Sequence, residues 1–372
     1  MMNQITSIRN GSVVSNCNGK EENGVLMLPV SGIAQEGARV FINSVEARRE
    51  GALFHATVPL KDFHEHIVME TRNEYGLFTQ DLQVVYDRNS FPRYNFFLDD
   101  NIFFLTDIAG KRPKSLFDHF YTAFLKRMHV TYDAKFTLNL FYRNDHFPFE
   151  LKDFPDCYKK EFEDNSHWLR LSWHAYSEFP DRPYQNCSLE KLSSDMALIR
   201  KEICRFAGER SYIDPVAIHW SIVRPEALKL LYDSGVRVLS GQFINPQTSL
   251  TENGPKQYLC DVGYFRNLAD CLYLGEKQLL HDFESGITFL HSLLICNYYK
   301  PQEIVSIMKN AIGNSAYNNL LSLETHEQYS FPYYFNYLPD HLERIETAIR
   351  TATEAGYKSV FFAEGFLGNT SC

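Results

Sequence analysis

Asn95-Phe96-Phe97-Leu98-Asp99-Asp100-Asn101 carries a mostly apolar stretch into two adjacent acids. A short apolar run closed by polar residues reads as a buried strand, here 95–98, whose charged end leaves the core. The stretch downstream repeats that unit with helices between. Residues 115–131 have helical spacing, with Leu116, Phe120, Phe124 and Met128 four apart. A strand at 134–142, a helix at 155–166, a strand at 168–173 and a helix at 189–206 follow. The last has Leu192, Met196, Ile199 and Ile203 on one stripe. Residues 216–220 read as a strand. Pro225 opens a helix that ends near Gly235, since proline suits a first turn and glycine an exit. Strands at 236–240, 287–296, 319–325 and 359–363 and helices at 301–311 and 340–355 complete the series. The stretch 244–286 breaks the rhythm and reads as an insertion. Roughly seven βα units in about 280 residues predict a parallel (β/α) barrel, with an open doubly wound sheet as the alternative.

Upstream, the pattern is different. Short alternating runs at 24–30, 38–43, 52–58, 65–71 and 79–86 are punctuated by Gly32, Gly37, Gly51 and Gly76. Closely spaced strands with turn residues predict a small all-β sandwich over 24–88. The order of these runs resembles bacterial immunoglobulin-like modules. Residues 1–23 are polar and without periodicity, so an irregular tail is expected. Asp-Arg-Asn-Ser-Phe-Pro-Arg-Tyr, 87–94, reads as the linker, and the barrel is expected to occupy 89–372.

Composition excludes several function classes. With 37 Lys and Arg against 46 Asp and Glu, the net charge of -9 argues against nucleic acid as a partner. Ile287 to Cys296 is the longest nearly apolar stretch and is too short to span a bilayer. Met1 to Lys20 lacks the apolar core of a secretory leader, so a cytoplasmic location is expected. The eight cysteines show no C-x-x-C spacing, which predicts free thiols rather than a zinc ribbon. No G-x-G-x-x-G follows the first strand and no G-x-x-x-x-G-K occurs, so phosphate binding lacks its usual cradle. The aromatic share of 15% suits a large core and also the aromatic faces of a sugar cleft.

In a parallel barrel the chemistry gathers at the C-terminal ends of the strands. The polar residues there are Asp99 and Asp100, Asn139 and Tyr142, Trp173 and His174 with Tyr176 and Glu178, His219 and Trp220, and Thr325, His326 and Glu327. Carboxylate plus imidazole is a ligand set for a divalent metal, and a spare carboxylate can serve as base. Trp173, Tyr176, His219, Trp220 and Glu327 are candidates for binding substrate. Trp173 and Trp220 equally suit barrel core.

The order of motifs resembles the NodB-type polysaccharide deacetylases, the family 4 carbohydrate esterases. Phe97-Leu98-Asp99-Asp100-Asn101 is similar to that family's T-F-D-D-G motif. Leu171-Ser172-Trp173-His174-Ala175-Tyr176-Ser177-Glu178 is similar to its H-[ST]-x-x-H motif. Leu323-Glu324-Thr325-His326 is similar to its late L-x-L-H motif. The resemblance covers about 94–365 and implies a distorted (β/α)7 barrel that removes an acyl group from a sugar with one divalent ion, zinc, manganese or similar. It implies Asp99 as general base, His326 as general acid, and Asp100 and His174 as metal ligands. Glu178 stands where the family has its second ligand histidine and is expected to take its place. The expected partner is a carbohydrate. Two alternatives remain open at this point: a glycoside hydrolase using Asp100 and Glu178 as its carboxylate pair, and a non-catalytic glycan-binding barrel. His326-Glu327-Gln328-Tyr329 extends the late motif without a role.

Overall fold

The computed structural model describes residues 3–74, 76–243, 250–251, 254–255, 263–317 and 319–372. The chain is a mixed α/β protein with several sheets. The N-terminal part is all β: β1 (Gln4–Ile5), β2 (Val13–Val14), β3 (Lys20–Glu22), β4 (Val25–Ile33), β5 (Arg39–Ile42), β6 (Val45–Glu46), β7 (Arg48–Glu50), β8 (Leu53–Leu60), β9 (His64–Asn73) and β10 (Gly76–Tyr86). Two five-stranded sheets form, one ordered β1-β4-β8-β7 with β3 on β4, the other β2-β10-β9-β5-β6. Period-two alternation explains them: Leu26, Leu28 and Val30 of β4 are buried while Met27 and Pro29 face out. Leu26, Leu28, Val30, Phe54 and Val58 from one sheet share an apolar cluster with Val40, Ile42, Ile67, Met69 and Val84 from the other.

Two expectations need correction here. Residues 3–23 are not an irregular tail, because β1 and β3 pair with β4, and β2 runs parallel to β10. Residues 87–94 are not an exposed linker. Asp87 and Arg93 are fully buried and bonded at 2.8 Å, Arg93 Nε donates to the Leu367 carbonyl, and Asn369 Nδ2 donates to Asp87 Oδ1.

The remainder comprises β11 (Arg93–Asn101), α1 (Phe103–Lys111), α2 (Phe120–Tyr132), β12 (Phe136–Phe141), the hairpin β13 (Arg143–Asn144) and β14 (Phe149–Glu150), α3 (Lys159–Asp164), β15 (Leu169–Ala175), α4 (Leu189–Ala207), α5 (Ala227–Asp233) and β16 (Val238–Gly241). After these come β17 (Leu250–Thr251), β18 (Gly254–Pro255), α6 (Leu268–Lys277), β19 (Leu279–Asp282), β20 (Ile287–His291), β21 (Leu294–Ile295), α7 (Pro301–Ala311), β22 (Leu320–His326), α8 (His341–Glu354) and β23 (Lys358–Ser359). Much of the expected insertion at 244–286 lies outside the described residues; its later part forms α6 and β19.

A parallel sheet ordered β15-β12-β11-β22-β21, with β23 also on β11, forms the centre. Every residue of β11 is buried, as a strand covered on both faces requires. Tyr94, Phe96 and Leu98 face the helices, packing into the cluster that holds Leu125, Ile345 and Ile349. Phe97, on the opposite face, meets Val13, Val85, Leu320 and Phe362, so strands β2 and β10 help to seal that side.

The expected single (β/α)7 barrel sheet is not what pairs. A separate three-stranded sheet, β16-β20-β19, stands beside the first and is tied to it by single backbone bonds. On one side the segment 213–216 bridges the two, since Ile213 N donates to the Leu171 carbonyl of β15 and Ser240 N of β16 to the Val216 carbonyl; on the other, Leu293, just past β20, donates its N–H to the Ser322 carbonyl of β22. The expected strand at 216–220 is an extended segment entering a short 3-10 turn, His219–Ser221. Trp220 and Ser221 take φ of 63° and 48° there, which ends any strand.

His341 opens α8 with both ring nitrogens bonded to hydroxyls, Nε2 with Thr325 and Nδ1 with Ser330, each at 2.7 Å. Burial, helped by the neighbouring His326 and Arg344, pushes it down to about 3. The unfolded chain takes up a proton below about 6.5 that the folded chain refuses, so stability falls as pH drops from there toward 3. His341→Gln is expected to flatten the dependence of the urea midpoint on pH between 7 and 4.5. An unchanged slope would show that His341 is not what acid attacks.

Candidate metal centre

Two irregularities in the parallel sheet build the site. The register of β11 against β12 shifts between Leu98 and Asn101, and Asp100 sits in the shift with φ of 60°. The register of β15 against β12 shifts between Leu140 and Phe141, which leaves His174 between paired Trp173 and Ala175. Successive strand residues face opposite sides, but a bulge re-aims one of them. Asp100 and His174 are thereby turned toward a common point, and the turn after Ile218 brings His219 to it.

His174 Nε2 lies 3.2 Å from Asp100 Oδ1, His219 Nδ1 lies 3.3 Å from the same oxygen, and the two ring nitrogens are 3.1 Å apart. All three residues are buried. Burial raises the Asp100 carboxyl, but the two imidazoles more than offset it and hold it well below the usual range. Burial lowers His174, while Asp99 and Asp100 outweigh that and raise it.

The triangle fits a divalent ion. Zinc bonds of about 2.0–2.1 Å at tetrahedral angles put neighbouring donors about 3.3–3.4 Å apart. No hydrogen bond of good geometry reaches Asp100 Oδ1, although it is buried between two imidazoles. His219 Nε2 lies 3.4 Å from the Glu178 carbonyl oxygen, which assigns its proton to Nε2 and leaves the Nδ1 lone pair facing the triangle. Among the described residues this is the one such group of three. One carboxylate with two imidazoles replaces the expected two carboxylates with one imidazole.

Glu178 is not in the triangle. Its Oε2 is bonded by His146 Nε2 at 2.6 Å and Gln328 Nε2 at 2.9 Å. Burial and nearby Asp100 raise its carboxyl, against the opposing effect of His146. Asp99 lies beside the triangle, with Oδ1 accepting from Asn139 Nδ2 at 2.6 Å. His326 is the direct ladder neighbour of Asp99 across β11 and β22. Its Nδ1 is 3.0 Å from Asn297 Oδ1, an acceptor, so Nε2 carries the free lone pair.

The expected substrate contacts divide. His219 belongs to the triangle. Trp173 is 1% exposed and packed edge-on to Tyr184 in the helical core, so it is no sugar platform. Glu327 is wholly buried and accepts the backbone N–H groups of Ile102, Phe103 and Phe104 at 2.7–2.8 Å. Tyr176 is half-buried and stacked on Tyr142. Trp220 is 40% exposed beside His219, with the Arg182 guanidinium over its ring. Sequence reasoning passed over Glu324, which is buried and accepts from Ser292 Oγ at 2.6 Å. Burial, then Asp99 and Asp100, push it up to about 8. Its spacing of two from His326 on one strand was the signal available. Asn139, which holds Asp99, stood among the strand-end polar residues, whereas Asn297, which holds His326, gave no such signal.

None of the described cysteines is in a disulfide, and no helix among the described residues is long and apolar enough to cross a membrane. Neither a family model nor a curated protein matches the chain. Solved structures with some likeness include a peptidoglycan N-acetylglucosamine deacetylase, at 12% identity over 73% of this chain and 86% of that one, with a TM-score of 0.36. Another is the 4-alpha-glucanotransferase of Thermococcus litoralis, at 9% identity over 73% of this chain and 40% of that one, with a TM-score of 0.45. Both scores lie below 0.5, and nothing that follows rests on them.

Proposed function

We propose that the chain is a metal-dependent hydrolase that removes an acyl group from a sugar, working at the end of a distorted (β/α) barrel to which the N-terminal two-sheet unit, residues 4–86, is attached. The convergence of Asp100, His174 and His219 at 3.1–3.3 Å carries this reading. A divalent ion held there supplies a polarised acyl carbonyl and a water more acidic than bulk water. Asp99, fixed by Asn139, is placed to accept the proton of the attacking water. His326 points its free Nε2 toward the leaving group because Asn297 occupies Nδ1. Trp220 offers an exposed ring for a sugar face. The carboxylate pair of a glycoside hydrolase is poorly served, since Asp100 is enclosed by two imidazoles and Glu178 by His146 and Gln328.

Purified protein is expected to hold one divalent ion per chain and to release acetate from an N- or O-acetylated oligosaccharide, with chelation stopping release and Zn²⁺ restoring it. Full activity after complete chelation overturns the reading. His326→Ala should lower kcat by roughly 10²–10⁴, the usual worth of a positioned acid, and keep its ion. Loss of the ion in that variant recasts His326 as a ligand.

A further inference from the structure

Three consecutive side chains at the end of β22 and just past it each bond a residue beyond the end of a different strand of the central sheet. His326 meets Asn297, just past β21. Glu327 accepts three N–H groups directly after Asp100 and Asn101, past β11. Gln328 donates to Glu178, past β15, and the carbonyl of that same Glu178 faces His219 Nε2. Glu327 and Gln328 are 0% and 1% exposed, so neither is available to a substrate.

We propose that the Glu327-Gln328 turn is the positioning device of the Asp100, His174 and His219 triangle. Glu327 sets Asp100, and Gln328 sets His219 through Glu178. The inference rests on the metal reading above. Asp100 has a left-handed backbone, which a non-glycine residue keeps only where its surroundings enforce it. Glu327 enforces it from the C-terminal side, through three hydrogen bonds accepted from the N–H groups at the start of α1. Asn101 Nδ2 enforces it from the other side by donating to the Leu98 carbonyl at 2.5 Å. For His219, the constraint runs through a hydrogen-bonded carbonyl, the usual way an outer partner fixes the tautomer and plane of a ligand imidazole. Gln328 and His146 together hold the Glu178 side chain, and with it the backbone that supplies that carbonyl.

Zn²⁺ titration by calorimetry on the full chain tests this, with wild type, Glu327→Gln, Gln328→Met and, as a stability control, Ile349→Val in α8. Glu327→Gln replaces an acceptor oxygen by an NH₂ facing an N–H. Gln328→Met keeps volume and removes one hydrogen bond, so it decides the matter alone if Glu327→Gln does not fold. Both variants should bind Zn²⁺ roughly 10–100-fold more weakly, as loss of an outer-shell partner does. Ile349→Val should bind like wild type. Co²⁺ loaded into the two site variants should show a shifted visible spectrum, a change that lowered stability alone does not produce. Wild-type affinity in either folded variant overturns the proposal. Wild-type protein that binds no ion instead removes the metal reading, and this device with it.

Discussion

His219→Ala is expected to lose its divalent ion and all hydrolytic activity, whereas Glu178→Ala still holds one ion per chain. Removing His219 takes away one of three donors and leaves Asp100 and His174 alone, with a vacancy where Nδ1 stood 3.1 Å from His174 Nε2. Two protein ligands are fewer than the three that catalytic zinc sites keep. The loss should therefore exceed the roughly 10–100-fold that an outer-shell partner is worth. Glu178→Ala removes a carboxylate bonded to His146 and Gln328 and leaves the carbonyl that faces His219 in the chain. Its effect should stay within that outer-shell range. Zn²⁺ titration of the two variants side by side separates the roles. If Glu178→Ala is the protein that loses the ion, Glu178 is the ligand and His219 is not.

Glu178 was expected as a ligand because it stands where the resembled family has its second histidine. It lies four residues after His174, a spacing that puts two side chains on one face of a regular helix or strand. Residues 174–178 leave a strand and enter an irregular turn, so neither period holds there. His219 was visible as a polar residue near a strand end, but its reach depends on the left-handed turn at Trp220 and Ser221, which bulky and β-unbranched side chains do not announce. The bulges that aim Asp100 and His174 leave no trace in the apolar pattern either. Where local rules act alone, the reading was close. Helix α7 begins at Pro301 and ends at Ala311 as expected, and α4 buries Leu192, Met196, Ile199 and Ile203 as its stripe requires and exits at Gly208. At α2 the expected helix from 115 is interrupted, because Ser115 caps a separate 3-10 turn before Phe120. The strands β1, β2 and β3 span two or three residues each, too few for any periodicity to show.

The same limit explains the polar stretch at 87–94, and it yields the largest expected loss of stability. Asp87, Arg93 and Asn369 look like surface residues by type, yet they satisfy one another inside the protein. Arg93 Nη2 meets Asp87 Oδ2 at 2.8 Å, Nη1 reaches Ser90 Oγ and the Phe91 carbonyl, and Nε reaches the Leu367 carbonyl. Asp87 Oδ1 takes Asn369 Nδ2. The cluster joins the end of β10, the start of β11 and the C-terminal segment. Two charges without exposure gain little from their pairing, since desolvation offsets most of the attraction, but removing one leaves the other buried and alone. Arg93→Met or Asp87→Ala should therefore each cost about 3–5 kcal/mol of stability. The double variant should cost less than the sum, because the second substitution removes the stranded charge left by the first. Urea denaturation of the four proteins checks this. Limited proteolysis supplies an independent reading: wild type should resist cleavage at 87–94, and Arg93→Met should become sensitive there. Additive costs in the double variant, or ready cleavage of wild type at this stretch, would show that the junction is open to solvent and the ion pair incidental.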